Sequence, residues 1–113
     1  MPEIRHFTLD TDAQTLADAV TEDGAIIIDN VLSPEFIAEL RNETDPYMEG
    51  SNLGSDDFAG LKTTRTGGLM VRSKKCRELI AHPNILAPCK LFLEPYCQTV
   101  QLHLTQINSH WPG

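Results

Sequence analysis

The chain has 113 residues, a formal net charge of −7, and a composition that is 41% hydrophobic. That length is enough for one small domain. The acidic balance argues against nucleic acid as a partner, because phosphate binding requires a face rich in Lys and Arg. The longest apolar run, residues 25–28, is too short to cross a membrane, so no membrane partner is predicted.

The N-terminus and the cysteines indicate an intracellular protein. The sequence MPEIRHFTLD has no apolar core after a basic start, so we predict no signal peptide. Cys76, Cys89 and Cys97 form no C-x-x-C pair and are odd in number, which favours reduced thiols over a disulfide framework or a zinc site. We therefore predict a cytoplasmic location.

The first part of the chain predicts a helix followed by a short strand. Apolar residues at helical spacing follow a capping box that begins at Thr11, and Gly24 is placed to end the helix. The β-branched run at residues 25–28 predicts a buried strand. A further strand is possible at residues 4–8.

The middle of the chain predicts helices separated by a long loop. A second helix begins at Ser33-Pro34, and Pro46 marks its latest expected end. Residues 47–68 are rich in Gly, Ser and Thr and predict a flexible loop. Ser73 is placed to cap a short helix, and Pro88 predicts a kink or restart in the helix after it.

The last stretch, residues 98–113 (QTVQLHLTQINSHWPG), predicts one long strand that leads into a turn at Pro112-Gly113. Apolar and polar residues alternate along it, as in a strand with one buried face. No partner strand follows in this sequence, so we expect a sheet that is incomplete and has an open edge.

The sequence carries no recognisable catalytic or metal-binding motif. None of the four histidines begins an H-x-D, H-x-E or H-E-x-x-H pattern. The glycine-rich phosphate-binding motifs and the G-x-S-x-G motif are also absent. We therefore predict no catalytic residue and no metal ligand in this chain.

Two groups of polar residues are candidates for binding. His103 and Thr105 lie on the polar face of the last predicted strand, which either faces solvent or lines the inside of a barrel. Lys62, Arg65 and Arg72 gather near the long loop and are either solvated surface charges or a grip for a carboxylate or phosphate.

Three stretches, together with the pair His82-Pro83, resemble the N-terminal part of phytanoyl-CoA dioxygenase-like proteins. They are residues 23–33 (DGAIIIDNVLS), 65–73 (RTGGLMVRS) and 102–113 (LHLTQINSHWPG). Members of that family are Fe(II)- and 2-oxoglutarate-dependent oxygenases with a double-stranded β-helix core. The resemblance implies an α+β fold, in which an N-terminal helical segment precedes the first strands of a jelly-roll or cupin-like core, as a single incomplete domain over residues 1–113.

The resemblance also implies roles for particular residues. Thr105 matches a position beside the 2-oxoglutarate site, Lys62 or Arg65 matches a basic position that contacts the cosubstrate, and Arg72 is a candidate for contacting the substrate. In the family, an H-x-D motif and a distal His hold the iron, and they are expected beyond residue 113. We therefore expect this chain by itself to bind no iron or 2-oxoglutarate and to be inactive.

Three functions remain open from the sequence. The first is part of a dioxygenase that oxidises a small organic molecule or an acyl thioester. The second is a non-catalytic α+β interaction module that pairs through the open sheet edge, with another chain or with a copy of itself. The third is a regulator that competes with a longer homologue for its partner.

Overall fold

The computed structural model describes residues 3–57 and 60–110. Contacts between Cα atoms divide these residues into two compact units: residues 3–33 with 80–101, and residues 34–57 with 60–79 and 102–110. In chain order the elements are β1 (His6–Phe7), α1 (Ala13–Asp23), β2 (Ile27–Ile28), α2 (Pro34–Glu49), β3 (Thr63–Gly67), α3 (Leu69–Arg72), α4 (Lys74–Ile80), α5 (Pro83–Leu93), a 3-10 turn (Glu94–Tyr96) and β4 (Gln106–His110).

In the first unit, α1 begins one residue later than the capping box predicts. Asp12 has an extended backbone, and its carboxylate accepts hydrogen bonds from the Thr15 amide and hydroxyl. A carboxylate is as good a helix cap as the Thr11 hydroxyl, so the next acceptor along the chain takes the role. The predicted end at Gly24 is confirmed: its φ is 80°, and its N–H donates to the Val20 carbonyl at 2.8 Å.

The two predicted N-terminal strands both form, but each is only two residues long. β1 lies within the predicted residues 4–8, and β2 is the second half of the predicted run 25–28. They pair in parallel with the register His6↔Ile27 and Phe7↔Ile28. The Asp29 amide donates to the Phe7 carbonyl at 2.8 Å and extends the ladder by one hydrogen bond.

Helix α5 packs against α1 in the same unit and continues through Pro88. His82 caps it through Nδ1, which accepts from the Asn84 amide at 3.2 Å. The Asn84 side chain donates to the Leu9 carbonyl at 2.7 Å. Of the predicted kink or restart at Pro88, the restart is wrong: the proline forgoes the one hydrogen bond that an N–H here would donate to the Asn84 carbonyl, and burial of its ring adds packing.

In the second unit, α2 extends past Pro46 to Glu49, so the predicted end of this helix is wrong. A proline removes one helical hydrogen bond but does not end a helix whose later residues find other partners. Here the Ser51 hydroxyl donates to the Tyr47 carbonyl at 2.9 Å and its amide donates to the Met48 carbonyl at 3.1 Å.

The second sheet differs from the prediction at both of its strands. Residues 63–67 were expected in the loop 47–68 but form β3, and the long strand predicted to start at residue 98 begins only at Gln106. The strands pair antiparallel from Thr63↔His110 to Gly67↔Gln106. Since β3 ends at Gly67, residues before Gln106 have no backbone ladder to join, and alternation alone does not make a strand.

Two short helices follow β3, and the predicted cap at Ser73 is confirmed. Ser73 is fully buried, and its Oγ accepts from the Cys76 amide at 2.9 Å at the start of α4. The buried side chains of the described residues are small in number and include several polar groups. They are Leu16, Ala17, Ala19 and Pro88 in the first unit, and Thr44, Thr64, Thr66, Leu69, Ser73 and Cys76 in the second.

The described residues form two two-stranded sheets, so a double-stranded β-helix core stays a prediction. Across residues 3–57 and 60–110, none of the helices combines the length and the hydropathy that a bilayer crossing requires. The predicted turn at Pro112-Gly113 lies outside the described residues.

Candidate functional site

Two of the stretches that carry the family resemblance, residues 65–73 and 102–110, meet in the second unit, on and around the β3–β4 sheet. Residues directly opposite each other in an antiparallel pair project from the same face. Arg65 is opposite Asn108, and Thr63 is opposite His110, whose Nδ1 lies 3.1 Å from the Thr63 hydroxyl. Arg65, Asn108 and His110 are exposed. We call this face of the sheet the outer face; it is formed by Thr63, Arg65, Gly67, Gln106, Asn108 and His110.

The opposite face of the sheet is buried and polar. Thr64 is 7% exposed and Thr66 is 1% exposed. The Thr66 hydroxyl lies 2.7 Å from the hydroxyl of Ser51, which follows α2. Ile107 and Ser109 of β4 are half-buried on this side. Thr64 and Thr66 are therefore structural residues, and only Arg65 between them faces outward.

The double glycine of the motif makes the turn from β3 into α3. Gly68 has φ 65°, a left-handed conformation that a side chain disfavours. The turn is fastened to the segment before β4, because the Leu69 amide donates to Thr105 Oγ1 at 3.0 Å. A hydroxyl can accept this bond and still donate its own hydrogen to another group.

Arg72, at the end of α3, lies over the ring of Tyr47 from α2. Its Cζ atom is 4.8 Å from the ring centroid, within the range of a cation–π contact. Both residues are exposed. This contact uses the flat face of the guanidinium, and the N–H groups around its edge keep their ability to donate hydrogen bonds.

The next motif residue, Ser73, belongs to a charge-assisted network that joins α2 to α4. Glu43 Oε2 accepts from the Ser73 hydroxyl at 2.7 Å and from the Lys75 amide at 2.9 Å. These two bonds, chiefly the one from Ser73, hold the pKa of the Glu43 carboxyl below its ordinary value. The network fixes the start of α4, immediately after Arg72 in the chain, against α2.

Lys75 is held by carboxylates on two helices. Its Nζ lies 3.0 Å from Glu39 of α2 and 3.2 Å from Glu78 of α4, and 5.0 Å from the ring centroid of Phe36. Glu39 first, and then Glu78, raise the pKa of the Lys75 ammonium. Since its charge is matched within the unit, Lys75 serves packing of the helices rather than recognition of an anion.

The four residues predicted to bind cosubstrate or substrate all lie in the second unit but do not form one cluster. Arg65 projects from the outer face, whereas Thr105 continues the half-buried series on the other side. Lys62 is exposed in the turn before β3, and Arg72 is on α3. Their predicted roles stay predictions.

The sequence did not identify three residues that complete this region. Asn108 shares the outer face with Arg65. The alternation of side chains along a strand places Asn108 on the same face as His110, and this pattern could have identified it. Glu43 and Tyr47 lie on α2 and reach Ser73 and Arg72 across the unit. No local pattern links residues that are 25 or 30 positions apart, so only tertiary structure could identify those two.

No three His, Cys, Asp or Glu side chains in the described part of the chain gather closely enough to hold a metal ion. His110 and Asn108 share a face with Arg65, but a single imidazole and an amide do not make an iron site. The described residues therefore do not fit iron. The donors of the outer face, a guanidinium and an amide, do fit a carboxylate.

The first unit contains surface hollows that are unrelated to the motif residues. One open hollow of about 720 Å³ is lined by Ala87, Lys90, Leu91, Glu94, Cys97, Gln98, Thr99 and Val100. A second, of about 180 Å³, is lined by Val20, Ile26, Ile28, Ile85, Pro88, Cys89 and Phe92. The first is a shallow surface with one cation and one carboxylate, and the second offers no titratable group except a thiol, so neither suggests a reaction.

No protein-family model matches the chain. It is 30% identical over 95 residues to a protein named dioxygenase olcK from Penicillium canescens, an alignment that covers 77% of this chain and 32% of that protein. It is also 31% identical over 74 residues to dioxygenase ALT11 from Alternaria alternata, which covers 59% of this chain and 24% of that protein. A third relative is dioxygenase hkm4 from Aspergillus hancockii, 34% identical over 53 residues, or 47% of this chain and 17% of that protein.

These relatives share one named activity and differ in organism. The chain spans about a third, or less, of the length of each of them. Over part of its length, the chain is therefore similar to fungal dioxygenases.

Proposed function

We propose that this chain contributes the helical segment and first core strands of an Fe(II)- and 2-oxoglutarate-dependent dioxygenase of the phytanoyl-CoA dioxygenase-like family. The names of the three fungal relatives support a dioxygenase. The stretches 23–33, 65–73 and 102–113 support the particular family and its β-helix core. The substrate would be a small organic molecule or an acyl thioester, and the three free thiols suit a cytoplasmic location.

Iron(II) with 2-oxoglutarate would supply the oxidising chemistry of such an enzyme. The described residues do not fit iron, so its ligands would come from outside this sequence, and the chain alone would bind neither cofactor and turn over nothing. Arg65 would bind a carboxylate of 2-oxoglutarate, with Lys62 and Thr105 as further contacts. Arg72, oriented by Tyr47, would contact the substrate.

One observation carries the proposal: Arg65 is opposite Asn108 on the exposed outer face, while the residues on either side of Arg65 in β3 are buried. A strand that buries two threonines and exposes an arginine between them presents one fixed cation. Its planar fork of N–H donors suits a carboxylate, and the Asn108 amide adds a neutral donor beside it.

The test compares the protein made by its own cells with the recombinant 113-residue chain. Material purified from those cells with an antibody against this chain should gain thermal stability when Mn(II) and 2-oxoglutarate are added together. The recombinant chain should show no such shift. Replacing Arg65 with Ala in the gene should raise the 2-oxoglutarate concentration needed for half of the shift by about tenfold or more.

Arg41→Ala is the matched control, since Arg41 is an exposed arginine of α2 outside the β3–β4 sheet residues. It should leave the 2-oxoglutarate dependence unchanged. A protein from the native cells that shows no metal-dependent response to 2-oxoglutarate would rule out the proposal. A full response by the recombinant chain would contradict the statement that the iron ligands lie elsewhere.

A further inference from the structure

Ser51, the second residue after α2, joins two elements of the second unit through its hydroxyl. Its Oγ donates to the Tyr47 carbonyl of α2 at 2.9 Å and lies 2.7 Å from the Thr66 hydroxyl of β3. A hydroxyl has one hydrogen to donate, and Ser51 donates its hydrogen to Tyr47. The Thr66 hydroxyl is therefore the donor in the second bond, and Ser51 is the acceptor.

The backbone around Ser51 is in register with β3. Leu53 forms an antiparallel bridge with Thr64. Counting two residues from that bridge, backwards on one chain segment and forwards on the other, places Ser51 opposite Thr66. Opposite residues of an antiparallel pair project from the same face. The hydroxyl pair is thus a cross-strand pair on the buried face of β3, where Thr66 is 1% exposed.

Strand β3 (TTRTG) has no apolar residue that could fix its register. A strand that is polar on both faces is weakly specified, and a slip of one residue turns every side chain to the other face. Such a slip would turn Arg65 inward and take the Thr66 hydroxyl away from its acceptor. A buried hydroxyl without a partner is costly, so the bond to Ser51 opposes the slip and keeps Arg65 on the outer face.

The other hydrogen bond of Ser51 fixes the end of α2 beside Arg72. Tyr47 lies in the last turn of α2, where carbonyl groups lack partners within the helix, and the Ser51 hydroxyl satisfies its carbonyl. The Tyr47 ring is the one whose centroid lies 4.8 Å from Arg72 Cζ. A single hydroxyl therefore contacts both the strand that carries Arg65 and the helix turn that carries the aromatic partner of Arg72.

We infer that Ser51 is a positioning residue that couples Arg65 and Arg72. The two arginines lie on different elements, and Ser51 bonds to the neighbour of one and to the aromatic partner of the other. The consequence for ligands rests on the proposed function, in which both arginines bind. Loss of the Ser51 hydroxyl then weakens binding, although Ser51 lies on the opposite side of β3 from Arg65.

Thermal unfolding of the recombinant chain tests the hydrogen bonds. Ser51→Ala leaves the buried Thr66 hydroxyl without an acceptor and should lower the melting temperature by about 5 °C. Adding Thr66→Val to Ser51→Ala replaces that hydroxyl by a methyl group of similar shape and should recover part of the loss. Ser51→Thr keeps the hydroxyl and should melt close to the unchanged chain. Ser55→Ala, at an exposed serine of the same loop, is the matched control and should have no effect.

Nuclear magnetic resonance of the same chain reports the two arginines themselves. Ser51→Ala should weaken the Overhauser contact between the Arg65 and Asn108 side chains, and should reduce the ring-current shift that Tyr47 imposes on Arg72. Ser51→Thr should retain both signals. Thr66→Val alone breaks only the bond to β3, so it should alter the Arg65 signal and leave the Arg72 signal unchanged.

Leu16→Val separates positioning from general loss of stability. It removes one buried carbon from the first unit and should lower the melting temperature without altering either arginine signal.

A calorimetric titration connects Ser51 to the proposed function. 2-Oxoglutarate with Mn(II) is added to protein purified from its own cells, at a low temperature where the variants are folded. Ser51→Ala should raise the dissociation constant by about threefold or more, and Leu16→Val should leave it unchanged. If the unchanged protein does not bind 2-oxoglutarate, the proposed function fails, while the resonance measurements on the recombinant chain still decide the role of Ser51.

Three results would overturn the inference. One is a double variant that melts no higher than Ser51→Ala. Another is Ser51→Ala, or Thr66→Val if Ser51→Ala does not fold, with an unchanged contact between Arg65 and Asn108. The last is a protein that binds 2-oxoglutarate equally well with and without the Ser51 hydroxyl.

Discussion

Glu43 is a single residue whose ionisation contributes to the stability of the second unit. Its ionised carboxylate accepts from Ser73 and from the Lys75 amide, and its pKa is lowered for that reason. A lowered carboxyl pKa means that the stabilisation is present above the ordinary pKa and is lost as the pH falls through the lowered one. Glu43→Gln should therefore unfold at lower urea concentration than the unchanged chain at neutral pH, with a gap that narrows below about pH 4.

The control for this pH dependence is Glu49→Gln, which removes an exposed carboxylate from the last residue of the same helix. Urea midpoints measured from neutral to acid pH should place this control beside the unchanged chain throughout. A difference between Glu43→Gln and the unchanged chain that stayed constant with pH would show that the amide is a poorer cap for steric reasons, and that the charge of Glu43 is not what matters.

At the scale of elements, the turn between β3 and α3 depends on one of its two adjacent glycines. Gly68 has φ 65°, where a Cβ atom is strained, whereas a Cβ atom on Gly67 would meet the Thr105 carbonyl oxygen at an ordinary distance of 3.7 Å. Gly68→Ala should lower the free energy of unfolding by about 1–2 kcal/mol. Gly67→Ala should change it by less than about 0.5 kcal/mol. Equal effects in urea unfolding would contradict this account of the turn.

The elements that could be predicted from sequence are those whose signals are local. The end of α1 at Gly24 and the start of α4 at Ser73 follow from backbone and side-chain chemistry within one turn. A strand needs a partner, so the alternation of residues 98–105 predicts a strand that does not form, because no neighbouring backbone is available to pair with it. The sequence does not predict β3, because threonine and glycine are also common in loops. Pro46 likewise predicts the wrong end for α2, because the hydrogen-bond partners of the later residues decide whether a helix continues past a proline.

The same distinction holds for the candidate site. Arg65, Arg72 and Thr105 were identified because charged and alternating residues are visible in the sequence. Glu43 and Tyr47 could not be identified in this way, because folding alone brings α2 against Ser73 and Arg72. The motif is thus largely a folding unit: two buried threonines, a left-handed glycine and a buried serine hold its two arginines in place. Any binding role of Arg65 and Arg72 therefore depends on the folding of residues 64–73.

At the scale of the whole molecule, few large side chains are completely buried among the described residues. Leu16 is 1% exposed and is the largest apolar side chain among the completely buried residues that the structure describes. Leu16→Ala removes buried surface between α1 and its neighbours and leaves a cavity, a change that costs about 2–5 kcal/mol in proteins. Total stabilities are about 5–15 kcal/mol. A chain with so small a core has little reserve, so this one substitution should leave it largely unfolded at 37 °C.

Leu61→Ala removes the same atoms from a residue that is 56% exposed, and it should change the unfolding free energy by less than about 0.5 kcal/mol. Circular dichroism during heating compares the two variants with the unchanged chain. If Leu16→Ala melts cooperatively within a few degrees of the unchanged chain, the hydrophobic core described by residues 3–57 and 60–110 is not what stabilises the protein. Because the removed atoms are identical, any difference between the two variants reports burial, and burial at Leu16 is set by the packing of α1 against α5.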